Sequence, residues 1–198
     1  LNVSRSYLQA DGAVKKISAY ITRKVADKLS SLFKKDRGEF EKKWNDIKIV
    51  IEYGMLSEEK FYEKSEKFAL YPTVDNKFYT YEELYNKIKA KQTDKDDKLV
   101  ILYASDKQAQ HSYIENAKNK GYEVLLLDSP IVSHLIQKLE SSKEKIQFAR
   151  VDSDHVDNLI SKDENKLSKL NDDQKKELEE IVKTTINDEK FVIKLEPM

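Results

Sequence analysis

The sequence predicts an α/β protein: a helical subdomain, then a small three-layer α/β sandwich with a short parallel sheet, then a truncated helix-strand segment. Three observations predict it. Up to about residue 95 the apolar residues recur at helical spacing, and only 4 Gly and 3 Pro punctuate the whole chain. Two short continuous apolar runs follow, "LVILYA" at 99–104 and "YEVLLLD" at 122–128, which read as strands covered on both faces. Helical patterns lie between and after them and a third apolar run closes the series, so the order β-α-β-α-β favours a parallel sheet with right-handed crossovers.

The elements can be justified in turn. From Ala13 to Lys35 the positions Val14, Ile17, Ile21, Val25, Leu29 and Leu32 recur every three or four residues, which predicts one amphipathic helix with a single buried stripe. "RGEFEKKWNDIKIVIEYG" continues as a second helix with Phe40, Trp44 and Ile47 on one side, stopped by Gly54. Ser57 is placed to cap a third helix, "EEKFYEKSEKFAL", because its hydroxyl can accept a first-turn N–H. Thr80 to Glu83, "TYEE", is a capping box opening "YEELYNKIKAK". These elements give an all-helical first half, 1–95, with a loop at its start. "QTDKDDK" at 92–98 reads as a polar linker into the sandwich, 96–152. There, "DKQAQHSYIENAKNKG" is a helix closed by Gly121, Pro130 suits the first turn of "PIVSHLIQKLES", and "KIQFARVD" is the third strand. Residues 153–170 are polar and poorly patterned, the expectation being a flexible connection. In 171–198, Asn171 and Gln174 pair as another helix cap and "KFVIKLEP" reads as a strand, together the beginning of a further domain.

Composition narrows the function. The 36 basic residues are matched by 36 acidic ones, which argues against bulk capture of nucleic acid or an anionic membrane. No apolar run approaches the roughly 20 residues of a membrane span. The absence of cysteine fits a reducing, cytoplasmic setting. The turn after the first strand, "YASDKQ", lacks the glycines a phosphate cradle needs, so the sandwich is a poor dinucleotide binder. Asp106, Asp128, Asp152 and Asp154 fall at the carboxyl ends of the three strands, where a hard cation such as Mg²⁺ could be held. Aspartates are also ordinary turn formers at such places. His111, His134 and His155 have no ligand spacing among themselves. Phe61, Tyr62, Phe68, Tyr71, Phe78, Tyr79, Tyr81 and Tyr85 are interleaved with both signs of charge, which suits core packing or an apolar client surface better than base stacking. In the opening "LNVSRSYLQ", Ser4 is a possible cap, Arg5 offers a planar donor fork suited to phosphate, and Gln9 lies one helical turn on if a helix has begun.

"LNVSRSYLQ" resembles the "LN-x-SRE-x-LQ" signature of the ninety-kilodalton heat-shock chaperone family, in its bacterial type. "VKKISAYITRKVADKL" is similar to the family's next helix, "KLVILYASDK" to its "IYYIT" strand and turn, and "GYEVLLLDSPIVSHLIQKL" to its "EVL…PIDE" segment. The likeness covers nearly the whole chain. It implies a fragment of an ATP-dependent chaperone: the later part of the middle domain running into the start of the dimerisation domain. Arg5 then matches the arginine that contacts the γ-phosphate of ATP held in a separate N-terminal domain, and Gln9 the glutamine that supports it. ATP and Mg belong to the full-length protein, a homodimer through its C-terminal domain, and the fragment alone should be inactive. Client proteins, the protein's own N-terminal ATP-binding domain and a seventy-kilodalton-class chaperone are the implied partners, with no nucleic acid and no membrane. The sequence departs from the family at Ser6, where Glu is usual, and at Ile131, Val132 and Ser133 after Pro130. The alternatives are a non-catalytic interaction module and a Mg-dependent phosphotransfer-type domain.

Overall fold

A computed structural model describes residues 3–4, 7–8, 12–153, 160, 177–178 and 181–182. Its elements in chain order are β1 (Val3–Ser4), β2 (Tyr7–Leu8), α1 (Gly12–Lys35), α2 (Arg37–Lys42), α3 (Trp44–Ser57), α4 (Glu59–Ser65), β3 (Tyr71–Pro72), β4 (Phe78–Tyr79), α5 (Tyr81–Ile88), β5 (Leu99–Ala104), α6 (His111–Asn119), β6 (Val124–Leu126), α7 (Val132–Ser142) and β7 (Ile146–Arg150). Leu1–Ile160 form one compact unit and Ser161–Met198 a second. Within the second, Glu177, Leu178, Ile181 and Val182 are helical, inside the helix expected at 171–186. The connection at 153–170 beyond Ser153 and Ile160, the Asn171–Gln174 cap and the closing strand lie outside the described residues.

The expected parallel sheet is present in the order β6-β5-β7, with Leu102 opposite Val124 and Ile101 opposite Phe148. Side chains alternate along a strand, so the central β5 serves two cores at once. Val100, Leu102 and Ala104 join Ile114 and Ala117 of α6 on one face. Leu99, Ile101 and Tyr103 face Leu135 and Leu139 of α7 and the aromatic core of the helical part. Gly121 closes the α6 region at φ +78, a left-handed backbone that glycine adopts without strain. Pro130 lies two residues before α7 rather than in its first turn.

Four readings of the first half are corrected. First, of the predicted stripe of α1 Leu29 packs against the core, but Ile17, Ile21, Val25 and Leu32 do not face it. Ala26 is fully buried, with Leu29 and Phe33 packed beside it, whereas Ile17 and Ile21 are 59% and 55% exposed and Val25 and Leu32 are also exposed. At 100° per residue the two sets fall on different faces, and only one reaches α2–α4. Second, the long second helix breaks at Lys43, after a start capped by Asp36, whose Oδ1 accepts the Glu39 N–H at 3.0 Å. Phe40 and Trp44 are buried and Ile47 partly so, as expected. The helix runs through Gly54, where a Cβ would stand 2.8 Å from the Phe61 ring: this glycine allows close approach rather than a stop. Third, Ser57 ends α3 and donates to the Tyr53 carbonyl at 2.8 Å instead of capping α4, which ends early at Ser65. Fourth, the half is not all helical. β3 and β4 pair antiparallel, Asn76 turns between them at φ 59, and Val74 N–H donates to the Val124 carbonyl at 3.1 Å, fixing the hairpin to the edge of the sheet.

Two polar signals resolve differently. The capping box is formed: the Glu83 N–H bonds Thr80 Oγ1 while Glu83 Oε2 accepts the Thr80 N–H at 2.9 Å. The "linker" is an ordered joint, since buried Gln92 donates to the Val100 carbonyl at 2.9 Å and accepts the Glu123 N–H at 2.6 Å. Buried Asp94 accepts the N–H groups of Asp96 and Lys98. Of the aromatic cluster, Phe61, Tyr62, Phe68 and Tyr71 are core, Phe78, Tyr79 and Tyr81 pack against it, and Tyr85 is exposed.

Candidate functional site

The opening motif forms a short antiparallel pair, Val3 opposite Leu8 and Ser4 opposite Tyr7. Ser4 is therefore strand, not a helix cap, and α1 begins only at Gly12. Tyr7 and Leu8 are strand as well, so the helical-turn spacing expected between Arg5 and Gln9 does not apply. The pair brackets Arg5 and Ser6 in the sequence. These residues and Gln9 lie outside the described residues.

At the carboxyl ends of the strands the carboxylates are each engaged separately. Asp106 accepts the N–H groups of Gln108 and Ala109 at 2.8 and 2.9 Å, closing the turn that leads to α6. Gln110 Oε1 accepts from the backbone of Ser105 and Asp106, which fixes the same turn. Asp128 is paired with Lys48 of α3 at 2.6 Å, and Asp152 with Arg150 at 2.6 Å. Among the described residues no group of three or more His, Cys, Asp or Glu side chains is arranged to hold a metal. His111 opens α6 and His134 lies on α7, while Asp154 and His155 fall outside the described residues.

Sequence reasoning missed two charged positions. Arg37 opens α2, donates to Glu41 at 2.7 Å and grips Glu83 with two nitrogens at 2.5 and 2.9 Å, the second of which also donates to the Phe78 carbonyl. Glu83 thereby closes the cap of α5 and ties it to α2, and the Arg37 hydrogen bond holds its carboxyl below the usual value. The i,i+4 spacing of Arg37 and Glu41 was readable; the reach to Glu83 is tertiary. Glu52 of α3 is buried, which pushes its carboxyl up, while Ser129 and Lys48 pull the other way. Its Oε2 has no hydrogen-bond partner, and neither do the nearby Trp44 Nε1 and Tyr62 hydroxyl.

A sequence profile described as Hsp90 protein matches residues 1–196. The chain belongs to the Hsp90 family. Its Hsp90 relatives include the chaperone protein HtpG of Bacteroides thetaiotaomicron, 59% identical over 166 residues, 84% of this chain and 24% of that protein. HtpG of Porphyromonas gingivalis is 50% identical over 175 residues, 88% of this chain and 26% of that protein. The chain thus spans about a quarter of the length of these curated relatives. A solved middle domain of a Plasmodium falciparum heat shock protein shares the fold, with a TM-score of 0.54 at 18% identity over 73% of this chain and 60% of that one.

Proposed function

We propose that this Hsp90-family chain is the part of an ATP-dependent chaperone that completes a split ATPase site. Arg5 reaches the γ-phosphate of ATP held in a separate N-terminal domain, and Gln9 steadies that contact. The observation that carries this reading is the motif "LNVSRSYLQ" in a chain whose family is Hsp90. A guanidinium aimed at the transferring phosphoryl stabilises charge that develops in the transition state, and it favours the closed, ATP-bound arrangement. ATP is the substrate. Mg²⁺ travels with it, while Asp106 closes a turn and Asp128 and Asp152 are each held in an ion pair.

In this reading the chain is middle-domain sequence, with 171–198 opening the C-terminal domain that makes the cytoplasmic homodimer. Unfolded or partly folded clients are its cargo, and a seventy-kilodalton-class chaperone is a partner. The chain does not turn over ATP by itself. Steady-state hydrolysis by the full-length protein carrying Arg5→Ala should fall about a hundredfold or more, with ATP still bound. Unchanged turnover overturns the assignment. A second reading, that the chain also acts as a binding module, is favoured by the exposed apolar face of α1.

A further inference from the structure

Three ion pairs fasten α7 and the turn before it to the helices of the first half. Lys48 of α3 meets Asp128 at 2.6 Å, Lys138 of α7 pairs with Glu59 of α4, and Lys143 at the end of α7 pairs with Glu66. Lys138 and Lys143 also lie over the Tyr62 and Tyr81 rings, 4.9 and 4.0 Å from their centres. The Lys48 pair differs, because a second carboxylate stands beside it. Glu52 lies one turn after Lys48 on α3 and is buried, with its Oε2 unpartnered. It borders a cavity of about 10 Å³ that Trp44, Tyr71, Leu127 and Leu135 also line. The groups that act on Glu52 are Lys48 from its own helix and Asp128 and Ser129 from the turn that opens α7. From β3, the Tyr71 hydroxyl is held far above its ordinary value by burial and stays neutral. From α4 comes the buried Tyr62 hydroxyl, and the Lys138 charge of α7 is taken up by Glu59.

Two carboxylates thus compete for one ammonium, and their settings decide the outcome. The Asp128 side chain is 45% exposed, so water can solvate it when its partner leaves, and an exposed pair contributes little. Glu52 is buried, and a buried charge without a partner is costly. While Glu52 holds its proton it needs no cation, and Lys48 stays on Asp128. Once that proton passes to solvent the balance reverses. Lys48 is then within reach, because residues four apart on a helix are neighbours. We infer that Lys48 is a switching cation: it holds Asp128 when Glu52 is protonated and turns to Glu52 when Glu52 is ionised. Turning frees the segment 127–130, while Lys138 and Lys143 keep the rest of α7 on α4. The start of α7 therefore loosens from α3 as pH rises, pivoting about its far end. The switch is independent of the role of Arg5.

The single tryptophan, Trp44, lines the same cavity as Glu52 and can report its ionisation. Trp44 fluorescence of the 198-residue chain, followed from pH 4.5 to about pH 8, should show a transition, because burial raises the Glu52 carboxyl above 4.5. Glu52→Gln should abolish it. Lys48→Met removes the cation that favours the carboxylate and should move the midpoint up, whereas Asp128→Asn removes a like charge and should move it down. Amide exchange reads the release itself. Protection of the Val132 and Leu135 N–H groups, corrected for the pH dependence of intrinsic exchange, should fall about threefold or more across the transition. In Glu52→Gln it should stay constant. All three substitutions nearly keep side-chain shape, and circular dichroism checks that each variant has the parent's fold. Four results would each overturn the proposal: no transition in the parent, one that persists in Glu52→Gln, the two neighbouring variants failing to move the midpoint in opposite directions, or unchanged protection at the start of α7.

Discussion

In β5 every side chain from Leu99 to Leu102 is buried, while in α1 Ile17, Ile21, Val25 and Leu32 stand exposed and Ala26 reaches the core with Leu29 and Phe33 beside it. Both segments are rich in large aliphatic residues. The difference is in how many partners each finds. β5 is covered by α6 on one face and by α7 with the helical core on the other. Among the described residues α1 packs chiefly against α4 and α2. A helix that carries apolar residues on two faces is built to lie between two bodies, and periodicity alone does not say which face a given unit covers.

The contrast can be broken most forcefully in the sheet. Leu102→Ala removes a fully buried side chain of the central strand from the face that meets α6 and should cost about 2–5 kcal/mol, measured by urea unfolding of the chain. Next comes Gly54→Ala: its new methyl meets the buried Phe61 ring at 2.8 Å, so a loss of about 1–3 kcal/mol is expected. Thr80→Ala opens the capping box of α5 and should cost about 1 kcal/mol. On the outer face of α1, Ile21→Ala should change stability by less than about 0.5 kcal/mol. A large loss there would mean that the face is already covered in the isolated chain.

Glu52 sharpens the comparison from the core side. Burial raises its carboxyl above the ordinary 4.5, so the folded state holds the proton more tightly than the unfolded chain. The stability this contributes is fully present below pH 4.5 and is lost as pH rises through the raised value. Glu52→Gln keeps the shape without the charge. It should therefore be more stable than the parent at pH 7, with the advantage vanishing near pH 4, and thermal melts at the two values check it. An equal difference at both would contradict the assignment.

The parallel sheet was legible because continuous apolar runs of strand length, separated by helical patterns, have few other solutions. Thr80 and Glu83 were legible because a capping box is a local device with a fixed spacing. The β3–β4 hairpin was not: two residues per strand are too few to show alternation, and Tyr71, Phe78 and Tyr79 blended into the aromatic pattern of the helices around them. Ser57 failed as a cap because it is still the last residue of α3, its hydroxyl donating back to the Tyr53 carbonyl, and Glu58 holds the N-cap position of α4. Gln92 looked like linker because its two partners, Val100 and Glu123, are brought to it only by the tertiary fold. At the candidate site the motif was legible as a string. The antiparallel pairing of Val3–Ser4 with Tyr7–Leu8 was not, and it takes up Ser4, the possible helix cap.

The central claim is that Arg5 serves ATP hydrolysis in another domain, and Arg5→Lys tests it most directly, because the substitution keeps the charge and removes the planar fork. Turnover of ATP by the full-length protein carrying Arg5→Lys should fall about tenfold or more, with nucleotide affinity within about twofold of the parent. Turnover equal to the parent's would contradict the claim.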